Sequence, residues 1–422
     1  MARVAFIGLG AMGLRMAKRL AQADGIEVAV YDIDPARIAD MPAPARRATS
    51  IADAAADADG IFSVVPADKH TRAVVTEYLE VAKPGQIFVD FSTIGPATVD
   101  EVARQLSSKG VRTIAAGMTK SLGGADNGTL SLFIGGLDQI PEVLRPAFDA
   151  IAADLMMVGS HGAAKALKLV NNMVVATLDV VMTEALTLGL QYGIAYEVLT
   201  DALQAQGGDS WTLQNHIIPH VLPDILGPGF FSTRLLMKDM KLYVEFAKSQ
   251  DLPAFFAGNS LAAYRGAIAH GFSEHYHMVI ARWYERAARV GERPVTALPE
   301  GLDQAAVVSR LAAGVAAVQA LVTADAVRIL GRMDVAPKDA AFYLESGSAG
   351  NDSLGEMVRA LDGNEAKTDV RRLLADLDAV VSLAEDAAVP GAVFEIGRHT
   401  ALALLDRFGP ELDLWQTVKA VR

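Results

Sequence analysis

Four polar residues, Lys168, Asn172, Asp179 and Thr183, follow one another in the stretch 159–184, whose other residues are mainly apolar. On a helix, at about 100° per residue, these side chains fall within roughly 60° of one another. An ammonium group is costly to bury on a helix that is apolar on its other sides, so Lys168 either reaches solvent or lies in a polar cavity. In a cavity, Asn172 can hold a hydroxyl group or the amine, because its amide donates and accepts hydrogen bonds. We expect the chemistry of this chain to be held on this helix.

The composition excludes several classes of protein. The chain has 422 residues, of which 51% are hydrophobic and 21% charged, as in a globular protein of two or three domains. Its net charge of −12 disfavours nucleic acid and anionic membranes as partners. The absence of cysteine excludes disulfides and thiolate chemistry. The N-terminus resembles a buried strand, not a signal peptide, so we expect a cytoplasmic protein, and the polar residues within 163–190 argue against a membrane span.

A glycine-rich turn near the N-terminus predicts a dinucleotide site. Gly8, Gly10 and Gly13 follow an apolar strand and precede a helical stretch, at the spacing that lets backbone approach a pyrophosphate. Asp32 follows the next strand and is placed to accept hydrogen bonds from an adenosine ribose. Its charge would repel a 2′-phosphate, so NAD is favoured over NADP, although the nearby Arg37 could permit NADP.

The same alternation of strands and helices continues to about residue 158. A helix capped by Ser50 precedes the run GIFSVV, and QIFVDF, VRTIAAG, TLSLFIGG and LMMVG supply further strands, with a helix expected over about 138–153. Such alternation predicts an α/β domain with a parallel sheet that is covered on both faces. The turns at Val65-Pro66 and Ser92-Thr93 follow strand ends, where the nicotinamide half of a dinucleotide lies in such sheets.

Five motifs in order resemble the β-hydroxyacid dehydrogenase family, which includes 3-hydroxyisobutyrate dehydrogenases. They are GLGAMGLRMAKRL, DFSTIGPATV, GADNGTLSLFIGG, the pattern GxxGxAxxxKxxNN at 159–172, and KDMKL at 238–242. The resemblance covers about 1–288. It implies an N-terminal Rossmann domain, a long interdomain helix and an all-helical second domain.

The resemblance also implies roles for individual residues. The catalytic lysine of the family matches Lys168, its partner asparagine matches Asn172, and a lysine near the nicotinamide matches Lys238. Substrate would contact Thr119, Lys120 and Ser121 as well as the catalytic pair. The predicted cofactor-binding residues are Gly8, Leu9, Gly10, Ala11, Met12, Gly13, Asp32, Val65, Pro66, His70, Thr93 and Lys238.

Two stretches depart from the family pattern. Lys120 and Ser121 stand where the family usually has two glycines that approach the substrate carboxylate. We therefore expect Lys120 to hold an anion that is larger or further from the reacting carbon, although its side chain could instead point to solvent. The second stretch contains His270, His275 and His277, and a further pair lies at 216 and 220. We predict no metal site, because Pro219 interrupts the pair and no carboxylates accompany either group.

The last 120 residues resemble a second copy of the helical domain. DVAPKDAAFYLESGSAGNDS at 334–353 is similar to GIAYEVLTDALQAQGGDS at 193–210, and 376–390 is similar to 239–253. In this alignment Ser309, Ala313 and Ala375 replace the two lysines and the asparagine of the site. We predict domains at 1–160, 161–289 and 303–422, with a Pro/Gly linker at 290–301. The second copy would pack on the first about a pseudo-twofold axis, in a monomer or a homodimer.

These observations predict an NAD-dependent oxidoreductase that interconverts a small anionic hydroxyacid and its aldehyde or ketone. Lys168 would exchange the hydroxyl proton, Asn172 would fix the geometry, and no metal is needed. Two alternatives are a catalytically inactive NAD-binding scaffold and an imine reductase. The chain also resembles 6-phosphogluconate dehydrogenases more distantly, but Val175 stands where their acid would be, so decarboxylation is disfavoured.

Overall fold

The structure is a computed structural model that describes residues 1–292, 298–363 and 367–419. The chain divides into two compact units, residues 1–169 and 170–422. The second unit contains the predicted second helical copy and the predicted first copy from residue 170 onward. Part of the predicted linker, residues 293–297, lies outside the described residues, and the three predicted domain boundaries stay predictions.

The first unit is built on one eight-stranded sheet with the strand order β3-β2-β1-β4-β5-β6-β7-β8. The order reverses between β1 and β4, and at such a switch point the carboxyl ends of parallel strands leave a crevice for a dinucleotide. The strands are β1 (Ala2–Ile7), β2 (Ile26–Tyr31), β3 (Arg46–Arg47), β4 (Gly60–Ser63), β5 (Ile87–Asp90), β6 (Arg112–Thr119), β7 (Leu130–Gly135) and β8 (Ala152–Gly159).

Helices connect these strands, and apolar side chains fill both faces of the sheet. The Ser50 cap is confirmed, because its hydroxyl accepts a hydrogen bond of 3.0 Å from the backbone N–H of Asp53. The helices are α1 (Ala11–Gln22), α2 (Pro35–Ala39), α3 (Ile51–Ala55), α4 (Asp68–Leu79), α5 (Pro96–Ser107), α6 (Ser121–Asn127) and α7 (Arg145–Ile151).

The sheet corrects two sequence-based expectations. The predicted all-parallel sheet is wrong at β6 and β7, which pair antiparallel. Only residues 120–129 join them, and that is too short for the crossover that parallel neighbours need. The helix predicted over about 138–153 is shorter, because β8 takes up the backbone from Ala152 onward and α7 begins only at Arg145.

The second unit contains helices throughout its described residues. The long helix α8 (His161–Gln191) begins in the first unit and continues into the second. It is followed by α9 (Tyr196–Ala205), a π-helix (Leu213–Val221), α10 (Thr233–Ser249), α11 (Phe255–Ala269), a 3-10 helix (His277–Val279), α12 (Ile280–Ala287), α13 (Gln304–Gly331), α14 (Pro337–Ser346), α15 (Asp352–Leu361), α16 (Val370–Ala387), α17 (Ala392–Phe408) and α18 (Gln416–Lys419).

The helix order repeats, as the predicted duplication requires. Helices α13, α14, α16 and α17 follow one another as α8, α9, α10 and α11 do. Among the described helices, α8 and α13 are long and apolar enough to cross a membrane, but most of each lies buried within the fold. The two helices are therefore the buried cores of the two copies.

The two copies exchange contacts in a reciprocal way. The backbone N–H of Trp211 donates to Gly350 O at 2.8 Å, and that of Asp352 donates to Asp209 O at 3.2 Å. Ser210 and Asn351 form an isolated antiparallel β-bridge between these two segments. A twofold-related pair of loops would make this exchange, so the contacts support the predicted pseudo-twofold axis.

A buried carboxyl group caps a helix of the opposite copy. Glu184 of α8 accepts a hydrogen bond of 3.1 Å from the backbone N–H of Val393 at the start of α17, and one of 3.0 Å from the Tyr284 hydroxyl. Its counterpart in α13, Asp325, lines a small gap at the start of α11. Burial raises the pKa of Glu184 to about 8, against an ordinary value of 4.5.

This shift predicts a pH-dependent stability. A carboxyl group whose pKa is raised by folding stabilises the fold fully below about pH 4.5, and that contribution is lost as the pH rises through about 8. We expect the free energy of unfolding of the wild type to fall, relative to Glu184→Gln, by about 1.4 kcal/mol per pH unit in this window. Denaturant unfolding at several pH values measures the difference. The exposed Glu197→Gln is the control, and parallel profiles for wild type and Glu184→Gln would contradict the prediction.

Candidate active site

The glycine turn after β1 has the geometry that a pyrophosphate requires. Gly8 has φ +94°, and a Cβ atom on it would lie 2.2 Å from Val64 O. A Cβ on Gly13 would lie 2.0 Å from Gly8 O, so the turn and α1 can pack this closely only without side chains. Gly10 keeps more space, with Arg37 Nη1 at 3.6 Å from the Cβ position. The chain therefore forms the cradle for a dinucleotide at the N-terminus of α1, and the residues present fit this cofactor.

Asp32 is held in place by two backbone hydrogen bonds. Its Oδ2 accepts a hydrogen bond of 2.6 Å from the backbone N–H of Leu9, and its Oδ1 accepts one of 2.8 Å from that of Asp34. The half-exposed Arg37 guanidinium lies 3.9 Å from Asp32 and 3.5 Å from Asp34. Both groups that could decide between NAD and NADP therefore stand at the end of β2.

The turns after β4 and β5 are tied to each other. The backbone N–H of Val65 donates to the Ser92 hydroxyl at 2.9 Å. Thr93 and His70 are half-buried and Pro66 is exposed beside them. Ala11 and Met12 begin α1. The predicted cofactor-binding residues of the first unit thus gather at the carboxyl ends of β1, β2, β4 and β5.

Lys168 is half-buried and packs against the sheet through its stem. A Cβ on Gly117, in β6, would lie 2.9 Å from Lys168 Cβ and 3.0 Å from Ala164 O. The absence of a side chain at Gly117 therefore sets how closely α8 lies on β6 at the lysine. Asn172 follows Lys168 by one helical turn, so both side chains lie on the same face of α8.

In the second unit, Asn172 belongs to a chain of hydrogen bonds. Its Nδ2 donates to Asp239 Oδ2 at 2.6 Å, and Lys238 Nζ lies 3.0 Å from Asp239 Oδ1. Asn171 Nδ2 donates to Asn172 Oδ1 at 3.2 Å and to the Ser348 hydroxyl of the second copy at 2.8 Å. The structure thus brings together Asn172 and Lys238, which the sequence analysis placed in separate motifs.

The loop after β6 differs from the expectation of a lysine that reaches toward an anion or solvent. Lys120 Nζ lies 2.8 Å from Asp154 Oδ2 of β8, and the Ser131 hydroxyl donates to the same oxygen at 2.7 Å. An anion bound by Lys120 would have to share its ammonium group with Asp154.

The backbone of the same loop has an unusual conformation. φ is +73° at Lys120 and +52° at Ser121, in the left-handed region that favours glycine. Thr119 precedes them and is buried at the end of β6.

The sequence analysis missed a buried ion pair near the cofactor turns. Lys165 Nζ lies 3.0 Å from Asp90 Oδ2 and donates to the backbone oxygens of Asp90 and Ser92 at 2.7 and 2.8 Å. It is 1% exposed, and ammonium groups are almost never buried this far unless they are paired. The sequence signal that could have drawn attention to Lys165 was its position, three residues before Lys168. The pair fixes the first turn of α8 to the end of β5.

Comparisons with known proteins identify related families for both parts of residues 3–284. Residues 3–159 match the NAD binding domain of 6-phosphogluconate dehydrogenase, and residues 162–284 match the NAD-binding domain of NADP-dependent 3-hydroxyisobutyrate dehydrogenase. The chain is 31% identical over 258 residues to a 3-hydroxyisobutyrate dehydrogenase of Pseudomonas aeruginosa. The aligned region covers 59% of this chain and 86% of that protein.

Two solved structures extend the comparison. The Mycobacterium tuberculosis 3-hydroxyisobutyrate dehydrogenase with L-serine has a TM-score of 0.63 at 26% identity, over 67% of this chain and 98% of its own. Plasmodium falciparum 6-phosphogluconate dehydrogenase has a TM-score of 0.67 over 98% of this chain and 94% of its own. Its identity is 13%, so this likeness shows the fold alone. With its dinucleotide cradle and its Lys168 and Asn172 motif, the chain belongs to the 3-hydroxyisobutyrate dehydrogenase family.

Proposed function

We propose that this protein is an NAD-dependent dehydrogenase that oxidises the hydroxyl group of a small β-hydroxyacid, or reduces the corresponding aldehyde. One observation carries the proposal: Lys168 and Asn172 lie one turn apart on α8, and Asn172 is oriented by Asp239 beside Lys238. Family membership and the intact glycine turn support the same reaction.

In this proposal each side chain has a separate task. When bound, the nicotinamide accepts or supplies the hydride. Lys168 takes the proton of the substrate hydroxyl during oxidation and returns it during reduction. Asn172 holds the hydroxyl oxygen, because Asp239 occupies one of its amide N–H groups and thereby fixes the direction of the amide plane. Positioning of this kind and proton transfer together account for large rate factors without a metal.

The experiment is a record of NADH formation with a panel of hydroxyacids. We include L-serine and 3-hydroxyisobutyrate because of the relatives named above, and hydroxyacids with phosphate or sulfonate ends because of Lys120. Turnover of one panel member with kcat/KM above about 10⁴ M⁻¹s⁻¹ would support the proposal. Binding of NAD without turnover of any hydroxyacid or imine would favour the scaffold instead, and turnover of cyclic imines alone would favour an imine reductase.

We expect NAD to be used with a kcat/KM at least about tenfold higher than that for NADP, because the Asp32 carboxylate would repel a 2′-phosphate. Asp32→Ser should remove most of this preference, since it deletes the charge and the ribose acceptor. Arg37→Ala is the matched variant and should leave the reaction with NAD nearly unchanged. Steady-state kinetics with both cofactors measure the ratios. A wild type that prefers NADP, and loses this preference in Arg37→Ala, would contradict the assignment.

The loop at 119–121 is proposed to bind the substrate acid group through its backbone. Lys120 and Ser121 have a left-handed backbone, and the Lys120 side chain is already paired with Asp154. We expect Lys120→Gly to change KM by less than about threefold, because glycine adopts this φ without strain. Lys120→Ala should be less stable than Lys120→Gly by about 1 kcal/mol. A tenfold rise in KM in both variants would instead indicate that the Lys120 ammonium group binds the acid group of the substrate.

A further inference from the structure

Three polar side chains from separate elements meet in the interior of the second unit. Asp179 of α8 is fully buried, and its Oδ1 lies 3.0 Å from Nδ1 of His216 in the π-helix. Its Oδ2 lies 3.1 Å from Nδ1 of His277, at the start of the 3-10 helix. The Tyr264 hydroxyl of α11 donates to the same Oδ2 at 3.0 Å. The proposed reaction uses none of these groups.

The fold supplies the carboxylate that the sequence analysis found missing. His216 was considered together with His220, and His277 together with His270 and His275. In the structure His216 faces His277 across Asp179, with the two imidazole rings 4.8 Å apart. A carboxylate and two imidazoles from distant positions therefore form the kind of set that the local spacing of histidines could not predict.

The potential ligand atoms have the separations that a small cation can bridge. One nitrogen from each histidine and one carboxylate oxygen all lie within 4.8 Å of one another. Around a tetrahedral zinc ion, with bonds of about 2.0–2.1 Å, neighbouring ligand atoms are about 3.3 Å apart. The Nδ1 atoms of His216 and His277 lie 3.0 and 3.1 Å from different oxygens of Asp179, and small rotations of the three side chains would bring one carboxylate oxygen and both nitrogens to this spacing.

The cluster itself provides no permanent positive charge. The imidazole nitrogens of the two histidines can offer a lone pair to a metal ion. Although Nδ1 of His277 lies close to Asp179, its geometry makes no hydrogen bond, and this nitrogen is shielded from solvent. Among the described residues, Asp179 is in contact with imidazole and phenol groups and forms no ion pair with a lysine or arginine, and buried charges are paired or bind metals. A divalent cation would balance the charge and give the nitrogen a partner.

We propose that Asp179, His216 and His277 bind a divalent transition-metal ion, with the ligand preferences of zinc, as a structural site in the helical unit. Imidazole and carboxylate ligands suit Zn²⁺, and the chain has no cysteine to offer sulfur instead. Tyr264 or a water molecule would complete a tetrahedron. The ion would join α8, the π-helix and the 3-10 helix, all of which lie in the first helical copy. This proposal replaces the sequence-based expectation of no metal and does not depend on the proposed reaction.

The test uses the full chain without a polyhistidine tag. After removal of metals with a chelator, we expect Zn²⁺ to bind at one ion per chain in calorimetry and to raise the Tm by several degrees. Co²⁺ in its place should give the visible absorption bands of a tetrahedral site. Less than about a tenth of an ion per chain, with no visible Co²⁺ spectrum, would overturn the proposal.

Variants locate the ion. Asp179→Asn and His277→Asn should each abolish the Co²⁺ bands and the rise in Tm, whereas the exposed His270→Asn should retain both. Circular dichroism checks that the variants are folded. If Asp179→Asn fails to fold, His277→Asn and His216→Asn still decide the question. Co²⁺ bands that persist in these folded histidine variants would place the ion elsewhere and overturn the assignment.

Discussion

Lys168→Ala is expected to lower kcat by at least about a hundredfold while the Kd for NAD stays within about twofold. Lys168 is the group proposed to exchange the hydroxyl proton, and general acid–base assistance is typically worth 10² to 10⁴ in rate. The dinucleotide cradle at Gly8, Gly13 and Asp32 is separate from this side chain. Pre-steady-state hydride transfer and NAD titration measure the two quantities.

Two further variants make this test specific. Lys168→Arg keeps the positive charge but holds its proton too tightly to exchange it, so it should lose nearly as much rate as Lys168→Ala. Lys241→Ala removes an exposed lysine from the motif at 238–242 and should change neither kcat nor the Kd for NAD. If Lys168→Ala kept more than about a tenth of the wild-type kcat, Lys168 would not be the proton carrier.

Deletion of residues 303–422 is expected to give a protein that aggregates or forms new oligomers and has lost its activity. The deletion uncovers Glu184, which loses the backbone N–H of Val393, and the apolar surface of the first copy that packs on the second. It also removes Ser348, to which Asn171 donates beside Asn172. Exposed apolar surface of this kind drives association.

Light scattering after size exclusion, followed by the hydroxyacid assay, measures both parts of this result. The full-length chain at the same concentration is the control. Asn171→Ala keeps the second copy in place and removes the contact to Asn172 together with the hydrogen bonds of Asn171 to Ser348 and Ala349. It should stay as soluble as the wild type and lose about tenfold in kcat. A truncated chain that is monomeric, soluble and active would refute the role of the second copy.

The local sequence was sufficient to predict the dinucleotide cradle. The spacing of Gly8, Gly10 and Gly13 specifies one turn, and the place of Asp32 at the end of the next strand follows from the chain path. The repeat was also predictable, because its helices preserve the order of apolar and polar segments. The resemblance to the family was recognisable for the same reason, because the five motifs that carry it are local patterns of sequence.

Contacts between distant helices were not predictable in this way. The pattern around Asp179 indicates a polar position on a buried helix, but only the packing of the π-helix brings His216 to it. Likewise, nothing in the sequence near Lys165 indicates that Asp90 would lie 3.0 Å away. Which faces of two helices meet depends on the sum of many packing interactions, so single residues carry little information about it.

The reciprocal backbone contacts between the two helical copies have a consequence for how this protein can change. In a symmetric homodimer, a mutation at the interface occurs twice, and both occurrences must be tolerated together. Here the two copies are separate stretches of one chain, so a substitution on one side of the pseudo-twofold axis does not appear on the other side. The two counterparts already differ, because Glu184 accepts hydrogen bonds from Val393 and Tyr284, whereas Asp325 pairs with Arg328 of its own helix at 3.0 Å. A chain that carries both halves can therefore keep the residues of the proposed reaction in one half while the other half has different residues at those positions.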